Sequence, residues 1–195
     1  MKNTILTFVL LVLSFISSAQ ENWELKKSSD GIKVYLKKSD NSNICEFKAT
    51  TKINTSIENV FEIIIDADNY PDWIDQISFA KRLSKTTDNF IIYYQIKLPV
   101  GFKNRDVVLN NKVVINTEDK IKIELQSTPK SYNEQKGYVR IEEAYGFWLL
   151  TSDNGQANVT YQFYSDPKGI FPAWLINIFI VDGPFKTLQN LKNKF

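Results

Sequence analysis

Histidine is absent from the 195 residues of this chain, and cysteine occurs only once, as Cys45. Without histidine, the chain cannot build Ser-His-Asp or Cys-His nucleophile systems, histidine proton relays or histidine metal sites. A single cysteine can form neither an intramolecular disulfide nor a thiolate zinc cluster. These absences remove much of the usual chemistry of enzymes, and we expect no metal, no cofactor and no catalytic residue.

A strong charge of one sign is also missing, because 24 Lys and Arg residues are balanced by 22 Asp and Glu residues. The net charge of +2 argues against a nucleic-acid partner, which usually requires a concentrated basic surface. Glycine and proline are few, with 7 and 6 residues, whereas hydrophobic residues make up 43%. This composition excludes collagen-like, low-complexity and disordered chains. The sequence shows neither a repeat nor a linker, so we expect one folded domain.

The N-terminal segment has the pattern of a secretory signal peptide. Lys2 precedes an apolar run at residues 5–16, and small residues follow up to Ala19. The run is too short to span ~30 Å of hydrocarbon at about 1.5 Å per helical residue, although an uncleaved anchor remains the alternative. We expect a signal peptide at residues 1–19 and a mature domain at residues 20–195. The protein would then be exported, either to the periplasm or out of the cell.

The rest of the chain predicts an α+β fold dominated by antiparallel strands. Apolar and polar residues alternate most clearly at residues 120–126, which is typical of a half-buried strand. A helix is predicted at residues 56–68, and a longer one from Pro172 to the C-terminus, which Gly183 and Pro184 should kink or split. The predicted strands are residues 23–27, 32–37, 44–53, 79–84, 90–98, 106–116, 120–126, 138–151 and 158–165.

A curved sheet covered by the C-terminal helix would enclose a concave space. If side chains fill this space it is an ordinary core, and if it is too wide it is a cavity for an apolar guest. Each tyrosine buried there would need a partner for its hydroxyl group. The candidate inward-facing aromatic residues are Tyr94, Tyr145, Trp148, Tyr161 and Phe163.

The segment at residues 98–104 (LPVGFKN) links two predicted strands but contains apolar residues, including Phe102. Exposing such a loop is unfavourable, so it must contact another part of the molecule. One interpretation is a flap over a pocket mouth that closes against the C-terminal helix near Trp174 and Ile178. The other is a loop packed permanently on that helix.

Four motifs in order along the chain carry a family resemblance. They are Trp23 with DGIKVY at residues 30–35, VFEIIIDADNYPDW at 60–73, NRDVV at 104–108, and PAWLIN at 172–177 followed by Gly-Pro. Together they resemble the START lipid-transfer family, named after the steroidogenic acute regulatory protein, within the helix-grip superfamily. The resemblance implies a helix-grip fold: a curved antiparallel sheet wrapped around a long C-terminal helix, with an internal hydrophobic cavity for one lipid or sterol-like molecule.

The resemblance also implies a lid made by the C-terminal helix and the loop at residues 98–104, and binding or transfer without catalysis. Sterol-binding members carry a buried arginine where this chain has Asn111, so sterol specificity is not carried over. The partners expected are a lipid or other hydrophobic small molecule and, transiently, a membrane surface, and we expect a monomer. The predicted residues of the cavity and lid are Tyr94, Phe102, Arg105, Tyr145, Trp148, Tyr161, Phe163, Trp174, Ile178 and Val181.

The charged residues favour structural roles. Arg105 and Asp106 are adjacent and would point to opposite faces of a strand, so they are not expected to pair. Arg105 would anchor the flap through backbone carbonyls or contact a ligand head group, whereas Arg140 and Glu142 would form a surface ion pair.

Three functions remain open from the sequence. The first is an exported, non-catalytic carrier or sensor of a lipid. The alternative is a polyketide-cyclase-like enzyme that uses tyrosine or carboxylate groups in the same cavity. The third is a packed interaction module with no cavity.

Overall fold

The computed structural model describes residues 22–38 and 45–195. The predicted signal peptide, residues 1–19, and its cleavage point lie outside the described residues. The strands are β1 Glu24–Ser29, β2 Ile32–Lys38, β3 Cys45–Ile53, β4 Ile77–Lys85, β5 Asn89–Ile96, β6 Asn104–Asn116, β7 Lys120–Ser127, β8 Tyr138–Arg140, β9 Ala144–Asp153 and β10 Gln156–Ser165. The helices are α1 Ile57–Ile65, α2 Tyr70–Trp73, α3 Ala173–Asn177 and α4 Gly183–Lys192, with 3-10 turns at Ala67–Asn69 and Pro129–Ser131.

All ten strands belong to one sheet, in the order β1-β2-β3-β10-β9-β7-β6-β5-β4, with antiparallel pairing between neighbours. The short strand β8 pairs with β6 in parallel. Helix α4 packs against β2 and β3, and helix α1 packs against β9 and β10. The large antiparallel sheet and its C-terminal helix confirm the predicted α+β helix-grip architecture.

Local sequence patterns explain these elements. In β7, Ile121, Ile123 and Leu125 are buried on one face, while the residues between them point away from the core. Helix α1 begins after Ser56, whose side chain accepts the backbone N–H of Asn59, as an N-cap residue does. The apolar stripe of α1, spaced at three and four residues, is buried against the sheet, so the sheet and both helices share one core.

The predicted strand at residues 138–151 is wrong, because the chain forms two strands there. Arg140 ends β8 directly opposite Asp106 of β6, and its guanidinium makes two hydrogen bonds of 2.9 Å to the Asp106 carboxylate. The chain then leaves the sheet at residues 141–143 before β9 begins. The expected surface pair of Arg140 with Glu142 is also wrong: Arg140 is buried, and Glu142 instead pairs with Lys168 at 2.7 Å.

The predicted interruption of the C-terminal helix takes the form of a π-helical turn at Ile178–Asp182, between α3 and α4. The N–H of Gly183 donates to the carbonyl of Ile178, five residues earlier. Pro184 has no N–H to donate, and the wider turn accommodates that loss. A Cβ atom on Gly183 would lie 3.0 Å from the Ile178 carbonyl oxygen, so glycine suits this close approach.

Candidate functional site

Among the described residues, two chambers lie between the C-terminal helical segment and the inner face of the sheet, and a smaller one lies deeper, between the sheet and the segment around α2. The deep chamber, of about 20 Å³, is lined by Tyr70, Ile74, Ile77, Ile92, Tyr94, Leu109, Asn111, Leu125, Trp148 and Tyr161. The central chamber, of about 100 Å³, is lined by Cys45, Phe47, Ile74, Asp75, Gln76, Ile77, Tyr94, Ile96, Tyr161, Phe163, Ser165, Phe179, Ile180, Gly183, Pro184 and Thr187. The outer chamber, of about 110 Å³, is lined by Ile96, Arg105, Ile141, Ser165, Asp166, Pro167, Gly169, Phe171, Ile176, Phe179 and Ile180.

The three chambers lie in a row, because each pair of neighbouring chambers has lining residues in common. Tyr94 and Tyr161 line both the deep and the central chamber. Phe179 and Ile180, both in the π-helical turn, line both the central and the outer chamber. These shared side chains therefore separate neighbouring chambers from each other.

Aromatic side chains build the inner wall. Trp148 and Tyr161 stack face to face with ring centroids 3.9 Å apart, because β9 and β10 place them directly opposite each other. Phe47 meets the Tyr161 ring edge-on at 5.0 Å. Burial raises the pKa of Tyr161, and burial together with the nearby Tyr161 hydroxyl raises the pKa of Tyr94, so both phenols stay neutral.

Arg105 forms part of the wall of the outer chamber. Its guanidinium donates to the backbone carbonyls of Pro167 at 2.6 Å, Lys103 at 2.5 Å and Lys168 at 2.7 Å. It also lies 4.8 Å from the centroid of the Phe171 ring. Burial lowers the pKa of Arg105. Arg105 thus ties the loop before β6 to the loop after β10, which agrees with the predicted anchor.

The loop at residues 98–104 closes against the C-terminal segment. The Phe102 ring lies 5.8 Å from Phe171 and 6.2 Å from Trp174, measured between centroids. Leu98 is buried, and its N–H donates to the Asn104 side chain at 2.9 Å, whereas Val100 at the loop tip is fully exposed. The predicted contact with Trp174 is therefore present.

Two hydrogen bonds, together called the polar latch, connect Asp75 and Gln76, just before β4, to the C-terminal helical segment. Gln76, with a positive φ of 66°, donates through its side chain to the Ile178 carbonyl at 3.3 Å. The neighbouring N–H of Asp75 donates to the Thr187 hydroxyl at 3.1 Å. These bonds lie at the rim of the central chamber, where the helix would have to lift to admit a ligand.

The ten predicted site residues fall into three groups. Those that line a chamber are Tyr94, Arg105, Trp148, Tyr161 and Phe163. Those in the surrounding loop and helix are Phe102, Trp174, Ile178 and Val181, of which Val181 packs against the core and Trp174 is half exposed. Tyr145 lies outside the site.

The placement of Tyr145 at the cavity is a correction. Its side chain is 37% exposed and stacks on Tyr164 at 4.8 Å on the outer face of the sheet. Tyr145 and Trp148 are three positions apart in one strand, so they point to opposite faces. Since Trp148 is buried inside, Tyr145 must face outward.

Sequence reasoning missed several chamber residues, among them Phe179, Ile180 and Gln76. Phe179 and Ile180 lay within the predicted helix, but a helical period of 3.6 misplaces side chains in a π-helical turn. No local sequence pattern marks Gln76 as a site residue, because the Ile178 carbonyl to which it donates lies 102 residues further along the chain. Asn111, which stands where sterol-binding members carry a buried arginine, lines the deep chamber.

Among residues 22–38 and 45–195, no group of three or more acidic, cysteine or histidine side chains is arranged to hold a metal ion. None of the helices in this part of the chain combines the length and the apolar character needed to cross a bilayer.

Comparison with known proteins agrees with the geometry. The START domain profile matches residues 9–194. A STAR-related lipid transfer protein from Xanthomonas axonopodis is 30% identical and superposes with a TM-score of 0.81, covering 88% of this chain and 97% of that structure. An uncharacterized protein of Pseudomonas aeruginosa is 30% identical over 89% of this chain and 86% of its own length.

Human phosphatidylcholine transfer protein is 26% identical over 82% of this chain and 77% of its own length. The sequence match extends over nearly the whole chain, and the large antiparallel sheet and the C-terminal helix have the expected arrangement. The chain belongs to the START domain family.

Proposed function

We propose that this protein binds a lipid in the central and outer chambers under its C-terminal helix and carries it without changing it chemically. The observation that supports this most is the apolar space between two layers that would otherwise form a solid core. Interiors are normally packed to high density, whereas here mainly apolar side chains line two partly open pockets of about 100 and about 110 Å³. The transfer functions named for the relatives support the same class of ligand.

A long-chain ligand requires the chambers to join. Phe179 and Ile180 would move with the π-helical turn, and the latch from Gln76 to Ile178 would open with them. The turn is suited to this movement because its hydrogen bonds are less regular than those of an α-helix. The C-terminal helix and the loop at residues 98–104 would thus act as a lid.

The chamber walls favour binding over catalysis. Among the described lining residues the carboxylates are Asp75 in the central chamber and Asp166 in the outer one. Asp166 accepts the N–H of Lys168 at 2.8 Å, and the Arg105 guanidinium is engaged by three carbonyls. The polyketide-cyclase-like alternative would need acid and base groups that converge on a substrate.

The lid region offers a surface for transient membrane contact. Val100 and Ile170 are fully exposed, and Trp174 is half exposed near them, linked through the Phe102 and Phe171 rings. Lys103 follows Val100 in the same loop and can approach anionic head groups. We propose that the protein is exported, acts as a monomer, and docks this end on a membrane to exchange its ligand.

Lipid extraction tests the binding proposal. The purified mature domain is extracted with organic solvent, and the extract is analysed by mass spectrometry beside an extract of an unrelated protein purified in the same way. A lipid in near-equal amount with the protein is expected. A preparation that stays empty, takes up no fluorescent lipid and moves none between vesicles would contradict the proposal.

A further inference from the structure

The outer face of the sheet carries more lysine than acid. In β2, β3, β10, β9 and β7, alternate side chains point away from the core. The charged side chains on this side are three acids, Glu46, Glu124 and Asp153, and six lysines, Lys33, Lys37, Lys48, Lys52, Lys120 and Lys122. We call this surface the basic face.

The helical side of the molecule has the opposite charge. Residues 54–79, which include α1 and α2, contain no lysine or arginine. Their six acidic residues are Glu58, Glu62, Asp66, Asp68, Asp72 and Asp75. Because these helices pack on the inner side of the sheet, the net charge of +2 hides one basic and one acidic side. An anionic surface would attract the basic face and repel the helical side, which favours one orientation.

Part of the lysine charge on the basic face is neutralised within the face. Lys52 pairs with Asp153 at 2.7 Å, and Lys122 pairs with Glu124 at 2.9 Å. Lys33 and Lys120 are exposed and form no ion pair with any residue that the structure describes. Their charge is therefore available to an anion outside the molecule.

Aromatic and apolar side chains lie between these lysines. The Lys48 ammonium lies 4.4 Å from the centroid of the Trp23 ring and 5.5 Å from that of Tyr35. Leu25, which pairs with Tyr35 across β1 and β2, is 50% exposed. Tryptophan, tyrosine and lysine together are typical of the interfacial layer of a bilayer, because each combines an apolar body with a polar end.

The kind of positive charge favours a bilayer over a nucleic acid or a single protein site. The five strands of the basic face contain no arginine, the residue whose planar fork recognises individual phosphates and carboxylates. Their lysines are spread over a width of about 20 Å, since neighbouring strands lie about 4.8 Å apart. Dispersed point charges of this kind fit a surface of many anionic head groups.

We propose that the basic face is a binding surface for bilayers that contain anionic lipid, in addition to the contact through Val100 and Ile170. Lys48 lies opposite Gln162 near the end of β10, where the loop held by Arg105 begins. The basic face therefore reaches the end of the sheet at which the lid lies. This inference rests on the proposed membrane contact and names the class of lipid: the basic face holds the protein at the bilayer while the lid end exchanges the ligand.

Sedimentation with vesicles tests this inference. Vesicles of phosphatidylcholine with phosphatidylglycerol should bind the protein more tightly than phosphatidylcholine alone, and added salt should weaken that binding. The double variant Lys33→Glu/Lys120→Glu should bind them at least about tenfold more weakly, because each lysine near an anionic surface contributes about fivefold. The matched control is Lys81→Glu/Lys85→Glu, the same charge change in the strand β4 at the other edge of the sheet, which should keep its binding.

Four results would overturn the inference. They are equal binding to both kinds of vesicle, unchanged binding of Lys33→Glu/Lys120→Glu, an equal loss in the control, and tighter binding to soluble polyglutamate, which would indicate an acidic protein partner instead. Circular dichroism checks that each variant is folded. Uptake of a fluorescent lipid in solution separates the two proposals. Normal uptake without anionic-vesicle binding refutes the basic face alone, whereas vesicle binding through this face without uptake supports it and contradicts the proposed carrier.

Discussion

Replacing Ile180 by alanine tests whether the central and outer chambers are parts of one ligand site. Ile180 lines both chambers and packs against the core from the π-helical turn. Removing its side chain beyond Cβ deletes part of the wall between cavities of about 100 and about 110 Å³. The two cavities would then become continuous, and an apolar chain could occupy both without displacing the helix.

The expected loss of unfolding free energy in Ile180→Ala follows from how deeply the Ile180 side chain is buried. An isoleucine-to-alanine change at a fully buried site costs about 2–5 kcal/mol of unfolding free energy. Ile180 is partly buried and already borders empty space, so we expect the lower end, about 2 kcal/mol, in the ligand-free protein. Each methylene group buried by a ligand returns about 0.8 kcal/mol, so roughly three additional buried methylenes offset the loss.

Urea unfolding with and without a fluorescent fatty-chain probe measures both effects. The free Ile180→Ala variant should unfold at lower urea than the wild type, and saturating probe should restore much of the difference. Its probe affinity should be equal to or higher than that of the wild type. Ile170→Ala, the same change at a fully exposed position, is the control and should alter neither quantity. Lost stability that the probe does not restore, together with weaker binding, would refute the reasoning.

Three other predictions test the fold and the lid. Asp106→Asn should cost about 3–5 kcal/mol in urea unfolding because it leaves the buried Arg140 guanidinium without its charge partner; a loss under about 1 kcal/mol would contradict this role. Gly146→Ala should prevent normal folding, since a Cβ there would lie 2.8 Å from the Phe163 Cα; a native circular dichroism spectrum and unchanged melting would argue against this packing. Val100→Asp should slow lipid transfer between vesicles severalfold and leave binding in solution unchanged, and normal transfer would count against membrane contact through this loop.

Much of the fold could be predicted because the sequence patterns that determine its strands and helices involve residues close together in the chain. The alternation in β7 and the apolar stripe of α1 each depend on residues a few positions apart, and both predict the correct buried face. The break between β8 and β9 could not be predicted in this way. It depends on Arg140 meeting Asp106, 34 residues earlier in the chain, and nothing in the local sequence marks that pairing.

The candidate site shows the same division. Tyr161 and Phe163 share strand parity in the continuous strand β10, and both line the central chamber. Tyr145 faces outward, as its spacing of three positions from the inward-facing Trp148 requires. The lid residues Phe179 and Ile180 were not identifiable, because the π-helical turn changes which side chains face inward.

A ligand in the space under the C-terminal helix is the central requirement of the proposed function. A crystal structure of the mature domain after incubation with its extracted lipid, or with hexadecanol, tests this directly. We predict continuous ligand density through the central chamber between Phe163 and Ile180. Side chains that interdigitate across all three chambers, with no ligand density at saturating lipid, would contradict it.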